Sequence, residues 1–124
     1  MTYKEVFQIV SGIELTAATG TSSATYIPAA YLQFPEDDPN NPAPPFICYY
    51  YTGDDDLKAD NTNYQKIRQV SIELYTDNKD FTLEQKVETT LTSHGLVYSK
   101  MEAYINEEKM YQTTYETEVI ITNG

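Results

Sequence analysis

Asp54, Asp56 and Asp60 recur at a spacing faintly like that of a calcium loop, and Asp77, Asn78 and Asp80 form a smaller oxygen-rich cluster. An EF-hand needs more than acids: a central glycine makes its sharp turn and a closing bidentate glutamate completes the shell. The run GDDDLKADN has neither in place, so solvated acidic turns are the expected reading. Zinc fares worse, since one cysteine and one histidine cannot fill a tetrahedral site. A Cys48–His94 nucleophile pair lacks the third, orienting group that such sites use. Cys48 lies inside the apolar run FICYYYT and reads as a small buried side chain. His94 falls at the last turn of a predicted helix, where the dipole favours an imidazolium. Carboxylates are abundant, which makes any chosen pair poor evidence for glycosidase chemistry. There is no P-loop and no GxGxxG run to hold a nucleotide. No catalytic, cofactor-binding or metal-binding residue is assigned, and a non-enzymatic role is expected. A small hydrolase or metal-dependent binding module ranks last among the alternatives.

Bulk composition narrows the partners. The chain has 124 residues, a formal net charge of −11 and a pI near 4.2, with 40% hydrophobic and 22% charged residues. That size suits one packed core, and the usage is that of a globular domain. Such acidity opposes specific nucleic-acid binding, which needs clustered Lys and Arg, and opposes docking on anionic membranes. It favours solubility, or a surface along which DNA passes without sticking. A single cysteine rules out an internal disulfide and fits a reducing compartment. The first residues, MTYKEVFQIVSG, have neither the apolar core nor the cleavage site of a secretion signal. No window reaches the apolar length of a spanning helix. A soluble protein made in the cytoplasm is expected.

The elements that would position these residues are legible from spacing. Thr2 and Glu5 have capping-box spacing, with Tyr3, Val6, Phe7 and Val10 on one face and Gly12 as a stop. Residues 14–25 are small and polar and read mostly as a connection. YIPAAYLQF, 26–34, reads as an edge strand or strand start because Pro28 cannot donate to a ladder. Residues 35–45, PEDDPNNPAPP, are a loop, and 46–52 a strand of aromatics and isoleucine. A second acidic loop or hairpin tip follows over 53–63.

From Tyr64 to Thr76 a long strand sets Val70, Ile72 and Leu74 against Ser71, Glu73 and Tyr75. Ile67 breaks that phase, through packing on the second face or through a bulge. Thr82 and Gln85 suggest a second capping box, Leu83, Val87 and Leu91 a core stripe, and Gly95 the stop, with Glu84, Gln85 and Glu88 outward. In the next strand Val97, Met101, Ala103 and Ile105 alternate with Tyr98, Lys100, Glu102 and Tyr104. In the last, Tyr111, Thr113, Tyr115, Thr117, Val119 and Ile121 share one face. The order is α-β-β-β-α-β-β over a single domain, 1–124: an α+β fold, mostly antiparallel, with helices on one face of the sheet.

Several strings together resemble a family of small tail proteins from long-tailed phages and prophages of Gram-positive bacteria. Pro44, Pro45 and Phe46 lead into a tyrosine-rich strand with Tyr49 and Tyr51. Ala59, Asp60, Asn61 and Tyr64 form a second step, and Glu73, Leu74, Tyr75, Thr76, Lys79 and Asp80 a third. Glu84 and Glu88 match acidic helix positions, and Tyr98, Lys100 and Glu102 close the pattern. The likeness covers about residues 26–120, and the element order is similar to that of tail-terminator, or tail-completion, proteins.

That resemblance implies a homo-oligomer, a hexameric ring in the virion tail that caps the tail tube and meets the head connector. The isolated subunit can be a monomer. Glu36, Asp37, Asp38, Asp54, Asp55 and Asp56 become candidate contact arms or lumen lining. Another head–tail connector or a minor tail subunit is the alternative.

Overall fold

A computed structural model describes residues 1–16, 19–34, 39–54, 57–59 and 63–122, with backbone alone for 54, 57–59 and 63–65. Helix α1, Tyr3–Ser11, starts at Thr2, whose hydroxyl accepts from Glu5 N at 3.1 Å, and ends at Gly12. Its buried residues are Val6, Ile9 and Val10, while Phe7 stays 44% exposed. The segment read as a connection contains a small antiparallel pair of its own, β1 (Glu14–Thr16) with β2 (Thr25–Tyr26). A hydrogen bond between the Thr16 and Thr25 hydroxyls crosses it.

The main sheet runs β3-β4-β6-β8-β7, from β3 (Ala29–Tyr31), β4 (Phe46–Asp54), β6 (Asn63–Thr76), β8 (Met110–Ile121) and β7 (Tyr98–Ile105). Strand β3 directly follows Pro28 and forms one edge; it pairs with β4 in parallel, which nothing in its own residues announces. The other ladders are antiparallel. β5 (Leu57–Ala59) pairs antiparallel with residues 63–65 of β6, so the described part of the second acidic segment includes one strand of a β5–β6 hairpin. The pairing of β6 with β8 begins only at Lys66, so this hairpin continues past the last rung of that ladder. The architecture is α+β.

Helices and sheet share one core. Val6 and Val10 of α1 and Leu83, Val87 and Leu91 of α2 (Phe81–Ser93) pack on Ile47, Val70, Ile72, Leu74, Tyr115 and Val119. Each such aliphatic side chain, fully buried, stabilises the fold by about 1.5–3 kcal/mol relative to exposure. β8 shows the alternation in full: its odd positions from Thr113 to Ile121 are buried against the helices. Ile67 sits opposite Ile120 on the other face, without disturbing the β6–β8 register. The bulge lies instead in β4, between Tyr51 and Gly53.

Two local expectations need correction. Helix α2 is capped by Asp80, whose carboxylate accepts from Leu83 N at 3.0 Å; Thr82 already lies within the helix. Glu84 does not face outward but is buried at 2% exposure. In β7, where alternation assigned no buried side, the apolar side is the one left open: Val97, just before the strand, is 87% exposed and Met101 is 57% exposed. The physical reason is the partner element. α2 presents carboxylates to the sheet, and these draw in the Lys100 side of β7. The C-terminal stop is as expected. Gly95 at φ +74° occupies the left-handed region that side chains with a Cβ disfavour. Gly95 N and Leu96 N donate to Thr92 O and Leu91 O, closing the helix.

Candidate functional site

The ionisable side chains gather in two places, one on each face of the sheet. On the helix side, Glu84 is the hub. Lys79 Nζ lies 2.6 Å from its Oε2 and Lys100 Nζ 2.8 Å from its Oε1. Lys79 also meets Glu102, and Lys100 donates to Glu88 Oε2 at 2.8 Å. The Tyr115 hydroxyl, under the cluster, donates to the same Glu88 oxygen at 2.8 Å. Sequence places these groups together simply: Glu84 and Glu88 are one helical turn apart, and Lys100 and Glu102 share a strand face.

Burial by itself would raise the Glu84 pKa, but hydrogen bonds from Lys100 and Lys79 outweigh it and hold the carboxyl below its ordinary range. Lys100 is shifted up by Glu84 first and Glu88 second. Tyr115 is held protonated by burial, then by its bond to Glu88. Every charge in the cluster has a partner. Such a set resists proton transfer and clamps α2 onto β7 and β8.

The open face carries a second network, hydroxyls and an amide gathered around one carboxylate. Tyr50 and Tyr75 hydroxyls donate to the two oxygens of Glu73 at 3.2 and 2.9 Å, and Gln112 Nε2 donates to the Tyr75 oxygen at 2.8 Å. Tyr75 is raised in pKa chiefly by burial. Phe46 stacks on Tyr75 with ring centroids 4.9 Å apart, and Phe34 meets Phe46 edge-on. Beside this stack runs an open groove of about 380 Å³, lined by Leu32, Phe34, Cys48 and Ile105 among others. A wider hollow, about 610 Å³, reaches from Thr52 and Gln69 to Ser99 and Glu116.

The residues weighed for chemistry do not converge. Cys48 is buried on the groove side, with its thiol pushed up to about 11 by burial and then by Glu73. His94 caps α2, its Nδ1 donating to Thr90 O at 2.8 Å, and lines a different hollow with Met1 and Glu5. Asp80 serves as a helix cap. No group of three or more metal-ligating side chains occurs among the described residues. Of the candidate arm or lumen residues, Glu36, Asp37, Asp38, Asp55 and Asp56 lie outside the described residues. Asp54 ends β4, its backbone opposite Arg68. The reading from sequence missed the Glu84 hub, although the i, i+4 acids and the alternate Lys100 and Glu102 carried the signal.

Tyrosines dominate the remaining surface chemistry. Tyr49 and Tyr115 are core residues, at 6% and 0% exposure. Tyr3, Tyr31 and Tyr49 surround Tyr51, whose hydroxyl is enclosed without a hydrogen-bond partner among the described residues. Burial therefore raises the Tyr51 pKa. Ring packing, with the hydroxyl used where a partner is in reach, describes most of this set. No helix among the described residues is long and apolar enough to cross a membrane. No family model matches the chain, and no curated protein matches it.

Proposed function

We propose that this chain is a structural subunit of a long-tailed phage tail: the terminator, or completion, protein that caps the tail tube as a ring and joins it to the head connector. One observation carries the reading. Many of the residues through which the sequence resembles tail proteins, where their side chains are described, are engaged in holding the framework. Phe46, Glu73 and Tyr75 build the open-face network. Lys79, Glu84, Glu88, Lys100 and Glu102 build the clamp between helix and sheet. Asp80 caps α2 and Tyr98 meets Tyr115 edge-on at 5.4 Å. A family whose recurring polar residues acted on a substrate would turn them into a cleft; here they fix the shape of a building block.

In this reading the mechanism is geometric. Each copy offers one surface to the next, and a repeated head-to-tail contact closes when its rotation divides the circle. The β5–β6 hairpin, continuing beyond the β6–β8 ladder, is the natural arm for such a contact. In the sequence the acidic run at 54–56 directly precedes β5. A ring multiplies the net charge of −11 carried by each copy. An anionic lumen repels DNA phosphate, and the genome passes without being held.

The test is electron microscopy of tails assembled with and without the chain. Tubes of uncontrolled length in its absence, restored by adding the purified protein, are expected. Tails of normal length that join heads without it would refute the terminator role.

A further inference from the structure

The two edges of the main sheet differ in how they meet solvent. β3 has three residues and begins directly after Pro28, and both features keep an edge from templating another strand. β7 has eight residues, contains no proline or register break, and pairs with β8 alone among the described residues. Alternate residues along its outer side present free N–H and C=O groups. Charged side chains often guard such an edge. In β7 the two charged residues, Lys100 and Glu102, lie on the helix side, where they pair with Glu84, Glu88 and Lys79 while staying 37% and 46% exposed. Ser99, Met101 and Ala103 are left exposed on the open face.

The strand also complements itself. Tyr98-Ser99-Lys100-Met101-Glu102-Ala103-Tyr104 reads as its own partner when reversed about Met101. Two copies laid antiparallel at that centre set Met101 against Met101, Lys100 against Glu102, Ser99 against Ala103 and Tyr98 against Tyr104. Side chains of paired residues share a face, so the Lys100–Glu102 contacts form on the helix side and the Met101 contact on the open side. Moving the centre to Lys100 or to Glu102 would oppose like charges, which disfavours both neighbouring registers.

We infer that β7 is a self-pairing edge: two copies of the chain join antiparallel about Met101, making one continuous sheet with both helix layers on the same side. A twofold contact closes on itself and adds no third copy. The pairing is therefore distinct from a ring contact and does not rest on the tail reading.

Cysteine scanning of the strand tests the register. Met101→Cys should form a disulfide-linked dimer under mild oxidation, since directly opposed cross-strand residues lie within disulfide reach. Ser99→Cys and Ala103→Cys should each stay unlinked alone and cross-link when mixed. The native Cys48 is buried and gives little background. In sedimentation the wild-type chain should dimerise, and Met101→Lys should weaken association at least about tenfold without lowering the melting temperature. A wild-type chain that stays monomeric to its solubility limit would overturn the inference. So would Ser99→Cys alone linking as fast as Met101→Cys, or β7 taking up only a strand from a different protein.

Discussion

Replacing Glu84 by Gln removes the charge at the centre of the helix-side cluster while keeping its shape. The Glu84 side chain is 3% exposed, and its two lysines are 23% and 37% exposed. Removing one partner from a fully buried ion pair costs about 3–5 kcal/mol. Here Lys79 keeps Glu102, Lys100 keeps Glu88, and both ammonium groups reach water, so the expected loss is about 2 kcal/mol. With an unfolding entropy of about 2.1 cal/mol/K per residue, a 124-residue chain should melt about 8 °C lower.

The pH dependence has a definite sign. The folded carboxyl titrates below its ordinary value of 4.5. Its contribution is therefore complete above that value and is lost as pH falls through the depressed one. Thermal melts of wild type and variant should differ fully at neutral pH, converge below pH 4.5 and coincide in stronger acid. Equal melting temperatures at neutral pH, or a gap unchanged in acid, would refute the hub.

Three further outcomes can be checked with the same melts and one thiol reagent. Asp80→Ala should cost about 1 kcal/mol through loss of the α2 cap, and Thr82→Ala should be close to neutral; the reverse order would restore the alternative cap. Tyr115→Phe removes a hydroxyl bonded to Glu88 at 2.8 Å and should cost about 1.5–2 kcal/mol, since the acceptor is charged. Cys48, with its thiol pushed up to about 11, should resist alkylation in the folded chain near neutral pH and react on denaturation; fast labelling of native protein would contradict its burial.

What the sequence announced, and what it hid, follows from the range of each signal. The face of β8 was legible because Tyr115, Thr117, Val119 and Ile121 meet a broadly apolar layer, so alternation maps onto burial. The α2 stripe was legible for the same reason. The buried side of β7 was not legible because its neighbour is not apolar. A strand's buried face is set by what covers it, and the residues that cover Lys100 are twelve to sixteen positions away in helix α2 at Glu88 and Glu84. The α2 cap was ambiguous because Asp80 and Thr82 are both capping types; the helix begins at Phe81, so the orphan amide is that of Leu83, and Asp80 meets it. The parallel course of β3 depends on the path of the chain back to β4, which no pattern within 29–31 encodes.

The pairing of three basic side chains sets how the protein answers to its medium. Lys79 and Lys100 are tied into the Glu84 cluster, and Lys86 donates to Leu15 O at 3.2 Å. These are three of the eight basic residues in the sequence, and the net charge of −11 keeps the outward field acidic. Dissolved ions screen exposed charges over about 8 Å at physiological ionic strength and reach enclosed pairs far less. Added salt should thus ease the approach of one copy to another while leaving each copy's own cohesion almost untouched. Ionic strength becomes a lever on assembly that does not pull on the fold.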